Sequence, residues 1–141
     1  MKEEERIQQA VCDWLKLQYP KVIFKSDLSG IKLTIGQAIK CAKGRSSAGF
    51  CDLDILEPTQ HYHGLYIELK KEIPFKKDGD LKKMIRTRTV KGLKVKYDHL
   101  QEQQDMINSL KSRGYYACFA WSFDMVKDVI VKYLGGYKWE L

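Results

Sequence analysis

Leu65-Tyr66-Ile67-Glu68-Leu69-Lys70 alternates strictly, so as a β-strand it turns Leu65, Ile67 and Leu69 to one side and Tyr66, Glu68 and Lys70 to the other. Glu68 and Lys70 therefore share a face. Upstream, Cys51-Asp52-Leu53-Asp54-Ile55-Leu56 reads as a second strand ended by Pro58, and the stretch through Gly64 is short enough for an antiparallel hairpin. In that hairpin Asp52 falls opposite or diagonal to Glu68. Asp54 has the same strand parity, and a small shift of register would put it there instead. Directly opposed carboxylates destabilise a sheet unless something neutralises them, and a divalent cation held by carboxylate oxygens is the usual neutraliser. A cation so placed activates water and stabilises charge developing on a phosphate, and Lys70 adds a compact positive charge beside it. Taken alone, Glu-x-Lys also fits an ordinary half-buried strand with a polar edge, so the rest of the chain must decide.

The chain has 141 residues, of which 44% are hydrophobic. That is enough for one domain with a real core, spanning 1–141, and argues against disorder. No apolar run approaches the ~20 residues that cross a bilayer. The charged start, Glu3-Glu4-Glu5-Arg6 after Met1-Lys2, lacks the apolar centre of a signal peptide. A cytoplasmic protein is expected, in a bacterial cytosol or a phage-infected host. Cys12, Cys41, Cys51 and Cys118 form no Cys-x-x-Cys pair and read as reduced core residues; with His61 and His63 they match no closed zinc pattern.

The net charge of +7 is unevenly spread. Residues 70–96 hold eleven Lys/Arg against three Asp/Glu, a surplus of eight, which leaves the remainder of the chain at minus one. This basic segment follows directly on the carboxylate strand. It is the electrostatic footprint of a polyanion-binding surface, with Lys71, Lys76, Lys77, Lys82, Lys83, Arg86, Arg88 and Lys91 as candidate phosphate contacts. Gly79 and Gly92 punctuate it, and Arg86 to Val90 can extend as a strand, so an inserted arm or hairpin over about 71–97 is expected. Arg45, in the Gly44–Gly49 turn leading to Asp52, is a further candidate for phosphate.

Elsewhere the periodicity predicts an amphipathic helix over 3–18, a strand over 22–26 and a short helix from a Thr34 cap to Lys43. A helix over 99–113 follows, with Asp98 and Gln101 as a capping box, then a strand over 115–121 and a last helix capped by Ser122. Glu4 lies on the edge of the first helix's apolar stripe, where it can reach a neighbouring site, although Glu3, Glu4 and Glu5 also suit the helix dipole. Gln103 lies on the apolar stripe of the 99–113 helix and needs a partner there: strand backbone, a water or a lysine.

Gly49-Phe50-Cys51-Asp52, then Ile67-Glu68-Leu69-Lys70, then Gln103 on a following helix resembles the PD-(D/E)XK nucleases, specifically the VRR-NUC (virus-type replication-repair nuclease) group. An acidic residue shortly before a glutamine on the N-terminal helix, here Glu4 and Gln8, is also part of that pattern. The likeness covers nearly the whole chain, with Cys51 where the group usually has proline and a longer basic stretch between Lys70 and Gln103. It implies an α/β fold with a central mixed β-sheet flanked by helices, in the order α-β-(α)-β-β-α-β-α. It also implies Mg²⁺ or Mn²⁺ on Asp52, Glu68 and the Leu69 main-chain carbonyl, with Lys70 activating water, Gln103 orienting Lys70 or that water, and Glu4 completing the site. The implied reaction leaves 5′-phosphate and 3′-hydroxyl ends. Stand-alone phage and bacterial members look like homodimeric Holliday-junction resolvases, so branched or double-stranded DNA is the expected partner. A flap or duplex nuclease of the same fold, or a non-catalytic basic DNA-binding module, are the competing readings.

Overall fold

The computed structural model describes residues 3–27 and 33–140. Helix α1 (Glu3–Gln18) starts with three glutamates at the positive end of its dipole and buries Ile7, Val11 and Leu15. Strand β1 (Phe24–Ser26), helix α2 (Ile35–Lys43), strands β2 (Leu53–Ile55) and β3 (Leu65–Leu69), and a hairpin of β4 (Ile85–Val90) with β5 (Leu93–Asp98) come next. Helix α3 (His99–Ser112), strand β6 (Tyr116–Ala120) and helix α4 (Phe123–Leu134) complete the order.

The main sheet runs β1-β2-β3-β6, antiparallel except where β3 meets β6 in parallel. Both of its faces are covered. Leu53, Ile55, Leu65, Ile67 and Leu69 pack with Ile7, Val11 and Leu15 of α1 and Val126, Ile130 and Tyr133 of α4. On the other side Cys51, Ala117 and Phe119 pack with Leu100 and Ile107 of α3. Because both faces are occupied, the Tyr66-Glu68-Lys70 side is not the solvated edge that alternation alone would allow.

The architecture matches the expected mixed sheet and element order; of the expected basic arm, residues 85–98 form the β4–β5 hairpin, while 71–84 run into it as irregular chain with an isolated bridge between Phe75 and Leu81. The strand around Asp52 is shorter than its sequence suggests, so Asp52 sits just outside the mouth of β2. Asp98 caps α3 by accepting from the Gln101 N–H at 3.4 Å, but Gln101 turns its side chain to Asp105 (2.9 Å) instead of completing the box. Asp98 takes the Met84 N–H in addition, at 3.0 Å, which ties the root of the hairpin to the start of α3. Among the described residues no helix is long and apolar enough to cross a membrane.

Candidate active site

The β2–β3 register pairs Leu53 with Ile67 and Asp54 with Tyr66. One step further out of the ladder sets Asp52 opposite Glu68. Asp52, Glu68, Lys70 and Gln103 are each 8% exposed or less. Charged residues are rarely that buried unless something pairs with them. Asp52 is fixed by its Oδ2, which accepts the Leu69 N–H at 2.8 Å. Behind it Gln8 donates to the Ser26 hydroxyl, to the Asp27 carbonyl at 2.8 Å and to the Asp52 carbonyl at 3.4 Å, so α1 holds the backbone that carries the aspartate. Lys70 is held by β6, its N–H donating to the Ala120 carbonyl at 2.8 Å.

Gln103 finds a partner different from those its position suggested. Its Nε2 donates to Glu68 Oε1 at 2.5 Å, because α3 crosses the face of β3 on which Glu68 stands. The other oxygen, Glu68 Oε2, is buried with no hydrogen-bond partner among the described residues. Burial first, and then the Asp52 carboxylate, push the Glu68 carboxyl well above the ordinary range; Lys70 opposes the shift and Glu4 adds to it. Two adjacent carboxylates, one carrying an orphaned buried oxygen, make a set that needs either a proton or a cation. A divalent ion fits that need. Among the described residues there is no cluster of three or more His, Cys, Asp or Glu able to hold a metal, so protein carboxylates would supply only part of the coordination. Partial protein coordination is the usual situation for Mg²⁺, which retains waters and binds through one or two carboxylates together with substrate phosphate.

Asp54, the competing aspartate, is placed elsewhere. It faces Lys25 across β1 at 3.6 Å, stands opposite Tyr66, and is pushed up to about 6 by burial.

Asp52, Glu68, Lys70 and Gln103 line a cleft of about 780 Å³ that Glu4 enters from α1. Arg45, Lys71, Arg86 and Arg88 supply its basic rim. Two of these are already engaged: Arg45 pairs with Asp27 at 2.6 Å, and Arg88 grips both Glu102 oxygens at 2.9 and 2.8 Å while its guanidinium lies 3.6 Å over the Tyr97 ring. Lys76, Lys77, Lys82, Lys83 and Lys91 are exposed along the same segment but outside the cleft wall. Tyr97, His99 and Glu102 line the cleft without having been singled out in the sequence. They sit where the hairpin runs into α3, and only the course of that hairpin brings them to the site. Burial, then Arg86 and Lys70, push His99 down to about 4, which leaves it a neutral imidazole at pH 7.

No protein-family model matches the sequence, and no curated protein matches it. Among solved structures, the chain is similar to one described as a "VRR_NUC domain protein", with a TM-score of 0.63 and 23% identity over 99% of this chain and 94% of that one. The protein therefore has the α/β fold of the restriction-endonuclease-like class. Within that class the fold is that of a VRR-NUC domain.

Proposed function

We propose that the protein is a metal-dependent, structure-selective DNA endonuclease that leaves 5′-phosphate and 3′-hydroxyl ends, acting as a homodimeric Holliday-junction resolvase. The observation that carries this reading is the buried trio of Asp52, Glu68 and Lys70 on the floor of a cleft with a basic rim. A polyanion drawn to the rim brings its phosphate to two carboxylates, an approach that Coulomb repulsion forbids unless a cation lies between them. Asp52 and Glu68, with the Leu69 carbonyl, would hold Mg²⁺ or Mn²⁺. Bound there, the ion supplies Lewis-acid polarisation of the phosphate and a water that ionises more readily.

The remaining work belongs to the chain itself. Lys70, whose main chain is anchored to Ala120 of β6, offers its ammonium to the attacked phosphate or the nucleophile. Gln103 fixes the orientation of Glu68 through its 2.5 Å bond, and Glu4 adds negative charge at the mouth. Burial of the trio keeps bulk water from screening these charges at the scissile bond.

Four-way junction, flap, linear duplex and single-stranded DNA, each incubated with Mg²⁺, Mn²⁺ or a chelator, test the proposal together. The junction should be cut in metal and left intact in chelator. Asp52→Asn, Glu68→Gln and Lys70→Ala should each lower the rate by about 10²-fold or more while circular dichroism stays unchanged. Full activity in all three variants, or salt-sensitive binding with no chelator-sensitive cutting, would sink the assignment. Faster cutting of flap or duplex than of the junction would move the substrate class without touching the chemistry.

A further inference from the structure

The β4–β5 hairpin is longer than the cleft needs. Its register pairs Arg86 with Tyr97, Arg88 with Val95 and Val90 with Leu93. Side chains of directly paired residues stand on the same face, so these six residues form one surface. The first part of it, Arg86, Arg88 and Tyr97, lines the cleft. The remainder runs outward past the rim and is apolar, with Val90, Leu93 and Val95 exposed by 45%, 70% and 44%. Three neighbouring apolar side chains left in water at the end of an arm mark a contact surface.

The arm has a fixed root and an unpacked end. Met84 donates to Asp98, His99 donates to the Met84 carbonyl at 2.8 Å, and Arg88 is locked on Glu102. At the other end Lys91 and Gly92, with φ of 51° and 80°, make a tight turn that holds the strands in register.

Charge decides which partner suits this tip. Residues 85–97 contain five Lys/Arg and no acidic residue. A second copy docking symmetrically would set those cations against their own images. DNA suits the whole hairpin, phosphates meeting the cations of its two faces and bases meeting the aliphatic side chains of one.

We propose that the hairpin tip is a wedge that enters a branch point, where Val90, Leu93 and Val95 pack on unstacked bases while Arg86 on the same face, Lys91 in the turn, and Lys94 and Lys96 on the opposite face hold the phosphates on either side. Aliphatic side chains driven between base steps are a general means of unstacking them. The inference rests on the nuclease reading for its setting but not for its test.

The test uses four-way junctions carrying 2-aminopurine beside the branch, titrated in chelator so that nothing is cut. The wild-type protein should raise the fluorescence at the branch, and the same fluorophore in linear duplex should respond little. The Val90→Thr/Leu93→Thr/Val95→Thr protein keeps strand-forming side chains and every charge. It should lose most of that rise and about tenfold of its junction-over-duplex preference, with duplex affinity unchanged. Equal fluorescence from both proteins overturns the wedge, as does a wild-type protein that fails to bind the junction. A triple variant that sediments as a smaller species than wild type also overturns it, since the tip would then join copies. A protein that opens the branch but cuts nothing when Mg²⁺ is added fails the nuclease reading alone.

Discussion

At Glu68 two effects act in the same direction: burial and the Asp52 carboxylate both favour the protonated acid. The folded protein thus retains a proton that the unfolded chain releases near 4.5, so the native state binds more protons and its stability falls as pH rises above that value. Glu68→Gln removes the liability while keeping an oxygen for the Gln103 amide. Without divalent metal it should melt higher than wild type by about 2–4 °C, with a larger gap at pH 8 than at pH 5, while cleavage is lost. Adding Mg²⁺ at pH 8 should raise the wild-type melting temperature and leave the variant's nearly still. A gap independent of both pH and metal would mean that Glu68 carries no such strain. Residue by residue, much of the candidate site was legible beforehand: Glu68 and Lys70 through their shared strand face, and Asp52 through its place in the motif, since parity alone left Asp54 equally eligible. The partner of Gln103 was not, because helix periodicity gives the side on which a residue stands and says nothing of which strand that side covers.

Among the connecting elements, the loop before β2 depends on Gly49. Its φ of +88° is left-handed, and an added Cβ would meet the Glu102 carbonyl at 3.1 Å and its Cγ at 3.3 Å. Glu102 is the residue that Arg88 grips, so a side chain at 49 presses on the anchor of the hairpin as well as straining its own backbone. Gly79 provides the control, with a φ of +92° and open space around it. Gly49→Ala is expected to cost about 1–3 kcal/mol in urea unfolding, and more than Gly79→Ala. Equal losses would mean that the Glu102 contact adds nothing. The hairpin itself was legible as an arm or hairpin, but its second strand and its exact turn were not. Turns of this kind announce themselves as Asn-Gly or Asp-Gly, and here Lys91 occupies the first position, one lysine among many. Helix α2 shows the converse: its Thr34 cap identified it in the sequence, and the structure adds Gln37 as the second half of a capping box, yet none of its residues is buried.

For the molecule as a whole, the charge pattern carries the prediction. Of the eleven cations in residues 70–96, all but Lys70 and Arg88 are exposed, a strongly positive flank on a chain otherwise close to neutral. If about six phosphates are covered, log affinity for duplex should fall against log salt with a slope of about −5. Lys82→Ala and Lys83→Ala together should flatten it by up to about 2 units if both lysines reach phosphate. A slope near zero would remove the hairpin segment from the binding surface. Outside the basic arm the order of elements was readable in the sequence, since periodicity, β-favouring runs and caps mark them. The parallel pairing of β3 with β6 was not, because it joins segments separated by the whole basic arm and α3.

That pairing also governs when the site can exist. Every residue of the proposed catalytic set has been translated once Gln103 is made, yet β3 lacks its second neighbour until residues 116–120 follow and Ala120 captures the Lys70 N–H. Contacts so distant along the chain form late and slowly, after the local hairpins and helices. A nascent chain therefore displays its basic arm before the lysine that would act on DNA is set in place. On the proposed function, competence to cut would come with the closing of the last strand.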